Sequence, residues 1–162
     1  MVRRLRLVML IGAIVATIGC DQVTKRMASS SLAGTSGRSY LGGTVRMMYV
    51  ENPGGFLGLG DNLPPLARTI VFTGATGLML LGMAIVAIRE RLHGAALLGV
   101  TLFVAGGVSN WADRVANGRV VDFLNVGIGP VRTGIFNLAD VALMAGGLLF
   151  VVAEVIRYRR AK

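Results

Sequence analysis

GAALLGVTLFVAGGVSNWA, Gly94 to Ala112, runs for the length of a membrane span without one charged side chain. Lipid offers a backbone no hydrogen-bond partner, so a chain crosses it as a helix of about 20 mostly apolar residues. A second stretch, IVFTGATGLMLLGMAIVAI from Ile70 to Ile88, meets the same condition. Leu7 to Cys20 is uncharged but short, and it reaches span length only by continuing through Asp21 to about Met27. Asp21 and Lys25 then lie near the interface. Ile135 to Ala153 is long enough to span and carries Asp140 inside it, which needs a reason at that depth. These runs predict an all-α membrane protein of four transmembrane helices, one domain over residues 1–162.

Composition agrees. The chain is 54% hydrophobic and 15% charged, with mean hydropathy +0.67, too apolar for a water-soluble domain of 162 residues. Its 23 glycines point to close helix packing, because lipid gives apolar side chains no drive to associate and small residues let backbones touch. A net charge of +9 on a soluble protein suggests nucleic acid, but here the basic residues edge the apolar runs, which sets nucleic acid aside. One Cys and one His leave no spacing for a zinc, haem or iron–sulfur site and no disulfide. No cofactor is expected.

Arg3, Arg4, Arg6, Arg89, Arg91, Arg157, Arg159, Arg160 and Lys162 crowd three short segments, so both termini and the loop between helices two and three are expected on the cytoplasmic side. The long connections, roughly 26–68 and 113–134, then face outward. Val45 to Val50 and Val120 to Val126 alternate as strands do, predicting a small β platform at the outer surface. Tyr49, Phe56 and Trp111 are candidates for headgroup level. Met1 to Cys20 also loosely resembles a lipoprotein signal ending in its Cys, but three further spans and the Asp21–Lys25 motif argue against that.

Polar side chains gather at the outer ends of helices one, three and four. Asn110 and Arg114, Asn137 and Asp140, and Asp21 and Lys25 are three or four apart, so on helices each pair shares a face. Asp122 follows helix three. Two carboxylates meeting at one depth repel, and burial penalises their charge, so such a pair shares a proton near neutral pH. The ionised partner takes a proton from water while the protonated one donates to a scissile carbonyl. Taken singly, Asp122 reads as a loop residue, Asp140 as a helix-terminal charge, Asp113–Arg114 as a surface ion pair, and Asp21–Lys25 as an i,i+4 pair of a few tenths of a kcal/mol.

Four blocks in order give more. Asp21-Gln22-Val23-Thr24-Lys25, Asn52-Pro53-Gly54-Gly55-Phe56, Gly106 to Arg114 continuing through Gly118-Arg119-Val120-Val121-Asp122-Phe123, and Phe136-Asn137-Leu138-Ala139-Asp140 resemble the motifs of the lipoprotein signal peptidases, or signal peptidase II. The resemblance implies that Asp122 and Asp140 are a catalytic dyad. It implies that Asn52, Gly54, Asn110, Arg114 and Asn137 line the substrate site, with Asp21 and Lys25 in structural support. It further implies a diacylglyceryl-modified bacterial prolipoprotein as substrate, cut on the amino side of its lipidated Cys, and globomycin as inhibitor. The enzyme is then expected as a monomer in the lipid of the bacterial inner membrane, its site near the outer face. Two departures stand out: Pro53-Gly54-Gly55 before Phe56, with Leu57 after it, and Trp111 where the family commonly has Leu or Ile. The first suggests a more flexible loop, the second a reshaped cavity near Asn110.

Two other functions are worth weighing. An ion or proton transporter needs polar residues along a whole path, whereas these gather at one end and helix two has none. A silent homologue that sequesters an inhibitor has no need of an intact dyad.

Overall fold

The computed structural model describes residues 2–55, 60, 62–90 and 92–162. In chain order the elements are α1 (Val2–Leu32), β1 (Arg38–Tyr40), β2 (Val45–Asn52), α2 (Pro65–Arg68), α3 (Thr76–Arg89), α4 (Gly94–Asn117), β3 (Val120–Ile128), β4 (Val131–Arg132) and α5 (Leu138–Arg160). A π-helical stretch, Thr69–Ala75, joins α2 to α3 as one continuous helix. Among the described residues four helices are long and apolar enough to cross a membrane: Leu7–Leu32, Pro65–Ala87, Gly94–Asn117 and Leu138–Arg160. The four spans and the small sheet expected from the sequence are both present.

Several helix ends differ from the sequence reading, helix two beginning at Pro65 rather than Ile70 and helix four running on to Arg160 for example, and three of the differences have a clear local reason. Helix one runs to Leu32 rather than Met27, because Ala28 and Leu32 are buried against Phe123 of β3 and so carry the helix past the span to support the sheet. Helix three runs on to Asn117 and stops where Gly118 turns left-handed (φ 69°), its N–H capping the Arg114 carbonyl. Helix four begins at Leu138 rather than Ile135, because Phe136 is drawn into a bridge with Leu124 of β3 and Asn137 caps the helix.

The helices pack through glycine. Leu80 of α3 lies over Gly107 of α4, and Trp111 of α4 lies over Gly77 of α3. Between α4 and α5 the backbones themselves touch at Gly99, Gly106 and Gly146, the close approach that small residues permit in lipid. α4 is the most buried span, while α1, α3 and α5 present large apolar side chains such as Val8, Leu78 and Leu148 outward, as lipid-facing helices do.

The sheet is antiparallel, in order β1-β2-β3-β4. β1 and β4 are too short to have been read from alternation, whereas β2 and β3 contain both predicted strands. A β-bulge between Met47 and Val50 resets the register so that Val50 pairs with Asp122 and Asn52 with Val120. The Leu124–Phe136 bridge is closed by N–H bonds from Leu124 to the Phe136 carbonyl (2.8 Å) and back (2.8 Å). That bridge delivers Asn137 beside Asp122.

Candidate active site

Asn137 organises the centre. Its backbone is extended (φ −126°, ψ −178°), its side-chain oxygen accepts the Asp140 N–H at 2.9 Å, and Asp140 Oδ2 accepts the Asn137 N–H at 3.1 Å. This is a capping box, which satisfies two otherwise unpaired donors at the start of α5 and fixes the Asp140 carboxylate. Asn137 and Asp140 therefore meet as cap and third residue rather than on one helical face. The Asn137 amide remains free to donate to Asp122 Oδ1 at 2.6 Å and to Asn110 Oδ1 at 3.3 Å. One residue thus holds both carboxylates, and Asn137, Asp122 and Asp140 are all buried.

Asn52 and Asn110 complete the ring. Asn52 Nδ2 donates to Asp122 Oδ2 at 2.8 Å and to the Gly55 carbonyl at 2.9 Å, while its oxygen accepts the Gly54 N–H at 2.9 Å. Asn110 Nδ2 donates to Asp140 Oδ1 at 2.9 Å. All four carboxylate oxygens therefore accept one amide N–H, and each keeps a lone pair for a proton or a water. Burial pushes the Asp122 carboxyl above the usual carboxylate range; the bonds from Asn52 and Asn137 and the charges of Lys25 and Arg114 pull the other way.

Arg114 does not pair with Asp113 as a surface reading suggests. Its Nε and Nη2 donate to the Gly54 carbonyl at 3.0 and 2.6 Å, and Nη1 to the Asn110 carbonyl at 3.3 Å, so it fastens the Asn52–Gly55 turn to α4. Phe56 and Leu57 lie outside the described residues.

Behind this ring Asp21 and Lys25 form no exposed helical pair. Lys25 Nζ spends its three protons on Asp21 (2.6 Å), Asp113 (2.7 Å) and Asn110 (2.7 Å), with Asp21 and Lys25 both buried. Asp21 Oδ1 also accepts the Ala139 N–H at 2.8 Å, capping α5 from α1, and Ser109 donates to its Oδ2 at 2.7 Å. Gln22 bonds Asp113 at 2.9 Å and Ser109 at 3.2 Å. Ser109, Gln22 and Asp113 were not among the expected site residues. The signal was present, since Gln22 and Lys25, and Ser109 and Asp113, stand three and four apart on helices whose ends carry the charges. Replacing Lys25 by Met is expected to cost about 3–5 kcal/mol, because it strands Asp21 and Asp113 as unpaired charges. Thermal unfolding in detergent checks this; an unchanged melting temperature rules out the network as a structural support.

Known proteins resemble this chain over most of its length. A sequence profile described as signal peptidase (SPase) II matches residues 13–156. The lipoprotein signal peptidase of Syntrophus aciditrophicus is 32% identical over 147 residues, covering 88% of each chain, and that of Syntrophomonas wolfei is 28% identical over 149 residues, covering 92% of this chain and 94% of the other. A solved bacterial membrane enzyme superposes with a TM-score of 0.83 at 25% identity, covering 95% of this chain and 92% of its own. Profile, relatives and fold each extend over most of the sequence, and on that ground the chain belongs to the signal peptidase II family.

Proposed function

We propose that this protein is an aspartic endopeptidase that removes the signal peptide from diacylglyceryl-modified bacterial prolipoproteins, cutting on the amino side of the lipidated Cys, with Asp122 and Asp140 as its catalytic pair. The observation that carries the reading is Asn137 bridging two buried carboxylates from separate elements. Buried like charges so held favour sharing one proton. The ionised carboxylate takes a proton from water, whose oxygen bonds to the scissile carbonyl carbon. The protonated carboxylic acid gives its proton to the carbonyl oxygen. As the tetrahedral intermediate collapses the C–N bond breaks and the amine leaves with a proton returned by the pair. Asn52, Asn110 and Asn137 hold the carboxylates, and Arg114 holds Gly54 where a substrate backbone passes.

The Arg-rich end of α5 and Arg89 at the end of α3 favour both termini inside, with the site near the outer face of the inner membrane. On this reading globomycin competes for the same carboxylates and the enzyme acts as a monomer.

The test is cleavage of a diacylglyceryl-modified prolipoprotein by the purified protein in detergent, with the new lipidated amino terminus identified by mass spectrometry. An unmodified precursor is expected to resist. Cleavage of both forms alike overturns the substrate assignment.

The pH profile follows from Asp122. Its pKa is raised in the folded state, so the folded protein binds that proton more tightly than the unfolded chain, whose Asp titrates near pH 3.9. The stability this contributes is complete below that value and is lost as pH rises through the folded pKa. Activity needs the same proton, so kcat/KM is expected to be bell-shaped, with its basic limb above the ordinary carboxylate range. A rate that stays level through alkaline pH removes the shared proton from the mechanism.

A further inference from the structure

One aromatic ring, Phe72, packs against both Gly55 of the Pro53-Gly54-Gly55 departure and Gly60. A Cβ built on Gly55 would stand 2.6 Å from Phe72 Cε1, and one on Gly60 would stand 2.8 Å from Phe72 Cζ, so the ring occupies the space that a side chain at either glycine requires. Gly55 is also bonded to the site directly, since its carbonyl accepts the Asn52 amide that holds Asp122. Moving Gly55 moves Asn52.

Phe72 itself sits in the π-helical Thr69–Ala75 stretch, a widened geometry that recurs at functional positions. The neighbouring Thr73 carbonyl accepts the Trp111 indole N–H at 2.8 Å. Trp111 reaches it because Gly77 has no side chain; a Cβ there would stand 2.8 Å from the indole nitrogen. Asn110, next to Trp111 on α4, donates to Asp140. The two departures are thus two ends of one chain of contacts, from Asn110–Trp111 through Thr73–Phe72 to Gly55–Asn52.

We propose that Phe72 and Trp111 are positioning residues that seat Asn52 and Gly54 against Asp122 and Arg114, a role that rests on reading Asp122 and Asp140 as the catalytic pair. Phe72 sets the height of the turn, and Trp111 fixes the π-helical segment that presents Phe72. Neither needs to touch the reacting atoms.

A steric exchange tests this. Gly55→Ala forces the ring away and is expected to lower kcat about tenfold with little change in KM, since sub-ångström misplacement of catalytic groups is costly while distal binding is untouched. Phe72→Leu vacates the space that the new methyl needs, so Gly55→Ala combined with Phe72→Leu is expected to recover to within about threefold of wild type. Phe72→Ala, which only opens space, is expected to lower kcat about tenfold while the melting temperature holds. Trp111 is the sole tryptophan. Its emission is expected to shift in Gly55→Ala and return in the double variant, a readout independent of which residues perform cleavage. Additive losses in the double variant, wild-type kcat in Phe72→Ala, or emission that ignores Gly55→Ala each overturn the proposal. If the exchange behaves as expected but Asp122→Asn still cuts, the catalytic reading fails while the positioning contacts stand.

Discussion

Asp122→Asn and Asp140→Asn are each expected to lower kcat by about 10³-fold or more, and the double variant by no more than either alone. On the proposed mechanism the pair works as a unit around one proton, so removing either member removes the base that activates water or the acid that protonates the carbonyl. Asn is nearly the shape of Asp, so the ring of Asn52, Asn110 and Asn137 survives in outline. Each variant does place an amide NH₂ opposite an existing amide donor, at Asn52 or Asn137 for position 122 and at Asn110 or the Asn137 N–H for position 140. A modest stability loss is expected from that, about 1–3 kcal/mol, which thermal unfolding separates from the catalytic loss. Single-turnover cleavage of lipidated substrate is the measurement. Losses that multiply in the double variant show two residues acting independently and sink the shared-proton mechanism.

The spans were legible because their signal is carried by composition over some twenty residues, where single exceptions do not matter. β2 and β3 were legible by alternation, but the bulge at Met47–Val50 that aligns Asn52 and Asp122 leaves no mark in a hydrophobic pattern. That the candidate residues cluster was legible, since charges and amides at the ends of apolar helices have few places to go. Their pairings were not. Sequence spacing put Asn137 and Asp140 on one helical face, whereas the Leu124–Phe136 bridge holds the preceding chain extended and turns Asn137 into a cap. Spacing also placed Arg114 beside Asp113, and the fold sends them to opposite tasks, Arg114 to Gly54 and Asp113 to Lys25. In each case a contact distant in sequence outcompeted a local one.

The same helices make the glycine seam the second large sensitivity. Gly146→Ala puts a Cβ 2.5 Å from the Phe103 nitrogen and 2.6 Å from the Gly99 carbonyl oxygen, and Gly99→Ala puts one 2.6 Å from the Phe150 nitrogen. These are backbone atoms that no rotamer change can move, so α4 and α5 must separate. Overpacking of this kind costs about 1–3 kcal/mol and more where backbone is the obstacle, a drop of several degrees in melting temperature. Gly82→Ala, with no atom within 4 Å of its Cβ, is the matched control and is expected to leave the melting temperature unchanged. Gly106 is the informative position on the seam, because its Cβ would press on the Ala139 carbonyl, one residue from Asp140 and one helical turn from Asn110. The Asn110–Asp140 bond is 2.9 Å, so a separation of about 1 Å there breaks it. Gly106→Ala is therefore expected to lose activity out of proportion to stability, whereas Gly146→Ala loses the two together. Equal melting temperatures for Gly146→Ala and wild type would show that the helices do not pack this closely. Equal activity for Gly106→Ala would show that α4 does not hold Asp140.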